Sequence, residues 1–93
     1  MSSDVSRYAR GADLEVHETE DGLIVFNPAT DRVHHLNYTA SVLFELCQGT
    51  HDSAELASMM AELYALEETP TEAVETGLQK LVAEGLLVEA RAE

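Results

Sequence analysis

The sequence predicts a small α+β domain, a three-stranded antiparallel meander followed by three helices, in the order βββααα. Two observations predict it. Apolar residues recur every second position before Asn37 and at helical spacing after it. Turn-forming residues also divide each part at short intervals: Asp21-Gly22 and Asn27-Pro28 in the first, Gly49, Pro70 and Gly85 in the second. The 93 residues leave room for one hydrophobic core, not two.

Residues 1–12 carry no period and read as a flexible N-terminal arm, with Tyr8 as an anchor. The domain proper is expected over 13–90. Leu14 and Val16 alternate with Asp13, Glu15 and His17, as on a half-buried strand. Asp21-Gly22 suits a tight turn, because both residues tolerate positive φ. Leu23 to Phe26 is an uninterrupted apolar run, the second strand. Asn27 to Asp31 is the next turn, and Val33 to Leu36 the third strand.

Asn37 is a good N-cap for the first helix, whose buried stripe is Val42, Leu43, Leu46 and Cys47. Gly49 is expected to end that helix. Asp52 and Ser53 can cap the second, with Leu56, Met59, Met60, Leu63 and Tyr64 on its face. Thr69 or Thr71 is expected to cap the third, with Pro70 near its first turn. Its stripe is Val74, Leu78, Leu81 and Val82, and Gly85 ends it. Leu86 to Val88 can return to the core or pair weakly as a strand.

Charge limits the partners. Eighteen Asp and Glu against five Lys and Arg give a net charge of −13. Binding to a phosphate backbone depends on Lys and Arg displacing counterions. Nucleic acid and anionic membranes are therefore poor partners. The charge either serves solubility or steers a basic partner. The amino-terminal residues have no apolar signal-peptide core, and no apolar run reaches membrane-spanning length. A soluble cytoplasmic protein is the expectation.

No catalytic constellation emerges. Cys47 is the one cysteine, so no internal disulfide forms. It lies on an apolar helix stripe, as a small buried hydrophobe would. His34 and His35 are strand neighbours and point to opposite faces, so they cannot easily share a metal. His17 would reach one of them only if the outer strands of the meander were adjacent. The glycines are isolated, which argues against a phosphate loop. Gly77 lies mid-helix, either for close packing or to leave room for a ligand. No catalytic residue, metal site or cofactor is assigned.

Three short helices cannot cover both faces and both edges of the sheet. An uncovered edge is either protected or used.

The stretch from Asp21-Gly22 through Asn27-Pro28, Arg32-Val33-His34-His35 and Leu36-Asn37, with Thr39-Ala40 and Val42 to Gly49 after it, resembles the PqqD family. Leu81 to Val88 is similar to the same family's ending, and the resemblance spans about residues 14–88. It implies a winged-helix-like RiPP recognition element, a domain that binds the leader of a ribosomally synthesised precursor peptide. Such domains present the leader to a modifying enzyme: a radical SAM enzyme, a cyclase or a leader peptidase. The resemblance implies that the leader adds a strand beside Arg32, Val33, His34, His35 and Leu36. It also implies a groove against the third helix, formed by some of Ala73, Val74, Gly77, Leu78, Lys80 and Leu81. Strand addition of this kind draws affinity from main-chain hydrogen bonds and specificity from pockets for alternate side chains.

Two other classes stay open. One is a winged-helix DNA-binding regulator, which the charge opposes. The other is a structural subunit that pairs with itself along the free edge as a homodimer.

Overall fold

A computed structural model of the chain describes residues 6–91. The elements are β1 (Ser6–Arg10), β2 (Glu15–Glu18), β3 (Leu23–Asn27), β4 (Arg32–Leu36), α1 (Tyr38–Leu46), β5 (Gln48–Asp52), α2 (Ser53–Leu63), α3 (Thr71–Ala83) and β6 (Leu87–Arg91). They form two three-stranded antiparallel sheets. The meander has the order β2-β3-β4, and the second sheet has the order β5-β1-β6.

The meander and the three helices stand as the sequence pattern requires. Leu23, Val25 and Asn27 of β3 are buried, and their cross-strand partners are Leu36, His34 and Arg32 of β4. This face of the sheet packs onto Leu43 and Phe44 of α1, Leu56 and Met60 of α2, and Val74, Leu78 and Leu81 of α3. Burial of aliphatic side chains like these is the main stabilising term, each contributing about 1.5–3 kcal/mol.

Local side-chain chemistry sets two helix starts. The Asn37 side chain accepts from the Ala40 N–H at 2.8 Å. Asp52 and Glu55 form a reciprocal capping box: the Asp52 carboxylate accepts from the Glu55 N–H at 2.8 Å, and the Glu55 carboxylate from the Asp52 N–H at 3.1 Å.

Several expectations need correction. The arm expected over 1–12 contains a strand, β1, paired along its length with β6 and in part with β5; residues 1–5 lie outside the described residues. The pattern SRYAR carries little apolar alternation, so distant partners, not local propensity, make it a strand. The first meander strand is not half-buried: β2 is exposed throughout, and only Leu14, just before it, packs against the core. Helix α1 stops at Leu46, with Cys47 as its C-cap, before Gly49 is reached. Gly49 instead takes φ +88° inside β5, where the register with β1 slips. A bulge of this kind needs a residue at ease with positive φ. Neither threonine caps α3; Pro70 is its N-cap, with no side-chain hydrogen bond.

Three segments converge at Gly22. The Ser41 hydroxyl donates to the Leu36 carbonyl at 3.1 Å, joining the end of β4 to α1. A Cβ on Gly22 would collide with that carbonyl and lie 2.7 Å from the Ser41 hydroxyl. Both obstacles are anchored, so neither can give way cheaply.

Gly22→Ala should therefore destabilise the domain by about 2 kcal/mol or more, the range of buried steric lesions. Urea unfolding of the two proteins checks this; an unchanged midpoint would show that the turn can move aside.

Candidate functional site

The outer edge of β4 has no strand beside it among the described residues. A groove of about 820 Å³ runs along that edge. Val33, His34, His35 and Leu36 form one wall, and Ala73, Val74, Gly77, Lys80, Leu81 and Glu84 of α3 form the other. Asn37, Thr39, Ala40 and Leu43 close it from the α1 side. Met60 and Tyr64 of α2, with Leu66 and Pro70 of the following segment, complete the lining.

The local sequence explains the shape. Val33 is a large apolar residue 56% exposed on an edge strand. Gly77 keeps α1 and α3 close, since a Cβ there would sit 3.2 Å from Leu43 Cδ2. The glycine's packing role and its place on the groove are thus compatible. Asn27 is buried at the far end of β3, where its amide donates to the Gly85 carbonyl at 3.3 Å. That bond ties the β3–β4 turn to the end of α3, so the two walls are tethered at one end.

Polar groups are few. His34 Nδ1 lies 3.7 Å from Glu84 Oε1, an ion pair only when the imidazole is protonated. His34 Nε2 and the Tyr64 hydroxyl are buried without a hydrogen-bond partner among the described residues. An unpaired buried polar atom costs about 1–3 kcal/mol, so both atoms favour any rearrangement that supplies a partner. Tyr64 also meets Tyr38 edge-on, with ring centroids 6.1 Å apart. Lys80 and Glu84 are the lining residues with opposite full charges, so the groove itself is close to neutral within a strongly acidic chain.

Of the residues implied by the family resemblance, the groove gathers Val33, His34, His35, Leu36, Ala73, Val74, Gly77, Lys80 and Leu81. It leaves out two. Arg32 pairs with Asn27 at the end of β4 and does not line the groove. Leu78 is fully buried in the core. Sequence reasoning missed the contributions of α1, Met60, Tyr64, Leu66, Pro70 and Glu84. Met60 and Tyr64 carried one signal, since both lie on the apolar stripe of α2; nothing local shows that the stripe ends beside an open strand.

Among the described residues, no three His, Cys, Asp or Glu side chains converge as metal ligands. No helix among them is long and apolar enough to cross a membrane. The strand order β2-β3-β4 sets His17 and His35 on opposite sides of Ile24, two strands apart.

The family described as Coenzyme PQQ synthesis protein D (PqqD) matches residues 22–87, well over half of the chain. The chain belongs to the PqqD family. No curated protein matches it significantly. Its fold is similar to that of a solved structure, lasso peptide synthetase B1 complexed with the leader peptide, with a TM-score of 0.73. The match covers 88% of this chain and 98% of that one at 18% identity, so the likeness is one of fold.

Cys47 lies away from the groove, fully buried. Burial pushes its thiol up to about 12, against the pull of the Arg10 guanidinium in the other direction. The nucleophilic form of cysteine is the thiolate, and here it is suppressed. Tyr8 is also raised, by burial first and then by the carboxylates of Glu89 and Glu75.

These shifts predict a pH dependence. An unfolded thiol ionises near about pH 8.5, whereas the folded one holds its proton up to about 12. The unfolded state therefore binds fewer protons in that window, and stability falls as pH rises. Urea midpoints should drop above about pH 8.5, and the drop should be shallower in Cys47→Ala. Equal slopes in the two proteins would contradict the assignment.

Proposed function

We propose that this domain binds the leader of a ribosomally synthesised precursor peptide and presents it to a modifying enzyme, without covalent chemistry of its own. The observation that carries this reading is the unpaired edge of β4 lying directly beside an apolar groove. The edge offers main-chain donors and acceptors to an extended peptide. Alternate side chains of that peptide then face the groove and supply specificity. Membership of the PqqD family supports the reading, and so does the fold of a synthetase component complexed with a leader peptide.

The binding residues on this reading are Arg32 to Leu36 along the edge, with Ala73, Val74, Gly77, Lys80 and Leu81 opposite. Met60, Tyr64 and Leu66 complete the lining. The enzyme served would be a radical SAM enzyme, a cyclase or a leader peptidase. The acidic chain favours a leader in which Lys and Arg flank apolar anchors. A DNA-binding role has the opposite electrostatics.

Backbone amide NMR, titrated with the leader of a short peptide encoded beside this chain's gene, tests the reading. Shifts should concentrate in Arg32–Leu36 and on the groove side of α3. Ala73→Glu should leave stability nearly unchanged, because Ala73 is exposed, but weaken peptide binding by about tenfold, the scale of a lost interface contact. Affinity should also fall with salt. Shifts confined to another surface would contradict the site, and tight low-salt binding of a uniformly acidic leader would contradict the electrostatic part.

A further inference from the structure

The central strand of the meander is apolar on both faces, yet helices cover only one. An uninterrupted apolar run is the pattern of a strand buried on both sides, whereas a half-solvated antiparallel strand alternates. In β3 the run is Leu23, Ile24, Val25 and Phe26. Leu23 and Val25 belong to the core; Ile24 and Phe26 do not pack against it. They point to the opposite face, where Phe26 pairs with the exposed Val33. Solvation alone does not account for Ile, Phe and Val clustered at the centre of that face.

Charge identifies what could cover it. Glu15 pairs with Phe26 across β2 on the same face. Glu20 and Asp21 lie in one turn of the meander and Asp31 in the other, while His17 and His35 flank Ile24 on this face. A second copy of this chain would bring the same carboxylates into opposition. The patch instead complements an apolar surface ringed by Lys and Arg.

We propose that this outer face, centred on Ile24 and Phe26, is a second docking surface, and that it takes a basic-rimmed apolar patch on the modifying enzyme. The inference rests on the leader-binding reading for the identity of that partner. It deepens the reading by separating two surfaces. The edge and groove hold the peptide, and the outer face holds the enzyme. Val33 and His35 belong to both β4 and the groove wall, so the two surfaces are contiguous. An enzyme on this face would sit beside the bound peptide.

The test uses the full chain, the separately purified modifying enzyme encoded beside its gene, and the leader peptide. The double variant Ile24→Thr with Phe26→Thr keeps strand-favouring residues at both positions and spares the core. Enzyme affinity, measured by calorimetry, should fall at least about tenfold in the double variant, as for central residues of an interface. Leader affinity should stay within about twofold, which also shows that the variant folds. Glu15→Lys should weaken enzyme binding at low salt and less so at high salt.

Three results would overturn the proposal: wild type that binds leader but not enzyme, a double variant that binds both as wild type does, or a dimer of this chain that the double variant dissolves. If leader fails to bind but enzyme binding is lost in the double variant, the docking face stands and the leader reading falls.

Discussion

One-sided burial of β3 is the constraint on which the rest of the structure depends. Leu23, Val25 and Asn27 all enter the interior, and the three helices gather on that face. On the other side Ile24 and Phe26 are half-buried and lie outside the core cluster. The helix-free outer face and the open edge of β4 are thus consequences of the same packing choice. Gly22 and Asn27 then hold the two ends of β3 in place, one against the start of α1 and the other against the end of α3.

The groove follows from how α3 meets this sheet. Its buried stripe, Val74, Leu78 and Leu81, anchors it to the core, while Ala73, Gly77 and Lys80 are left facing β4. Small residues at two of those positions keep the space open. The walls are joined by the Asn27–Gly85 bond and the His34–Glu84 contact, and Tyr64 and Leu66 add to the lining. The single thiol is buried and holds its proton up to about 12. What the arrangement offers is a strand edge with an apolar trough, which is a means of holding an extended chain.

Much of this was legible in the sequence where the signal is local. Asn37 and Asp52 announced two helix starts because each satisfies N–H groups only a few residues away. Period two and the Asp-Gly turn announced the meander. The second sheet was not legible. β1 and β6 are separated by almost the whole chain, and β5 has no apolar residue at all. Gly49 misled for a related reason: a glycine with positive φ serves a helix end and a strand bulge equally well. At the site, β4 and α3 were named from the family resemblance; Arg32, named for the strand edge, does not line the groove, and neither does Leu78. Leu78 sits on the stripe that a helical period assigns to the core, and Arg32 lies one position beyond the groove's reach. Tyr64 and Leu66 entered through the way α2 ends beside the sheet, a tertiary fact without a local signature.

The central claim is that a peptide becomes the next strand beside β4. Amide hydrogen exchange with and without a bound leader tests it most directly, because new main-chain hydrogen bonds slow exchange at the groups that make them. The account predicts slower exchange at the outward-facing amides of Arg32–Leu36, with no change at the opposite edge strand, Glu15–Glu18. Protection gained at Glu15–Glu18 or along Leu87–Arg91, with β4 unaffected, would contradict it.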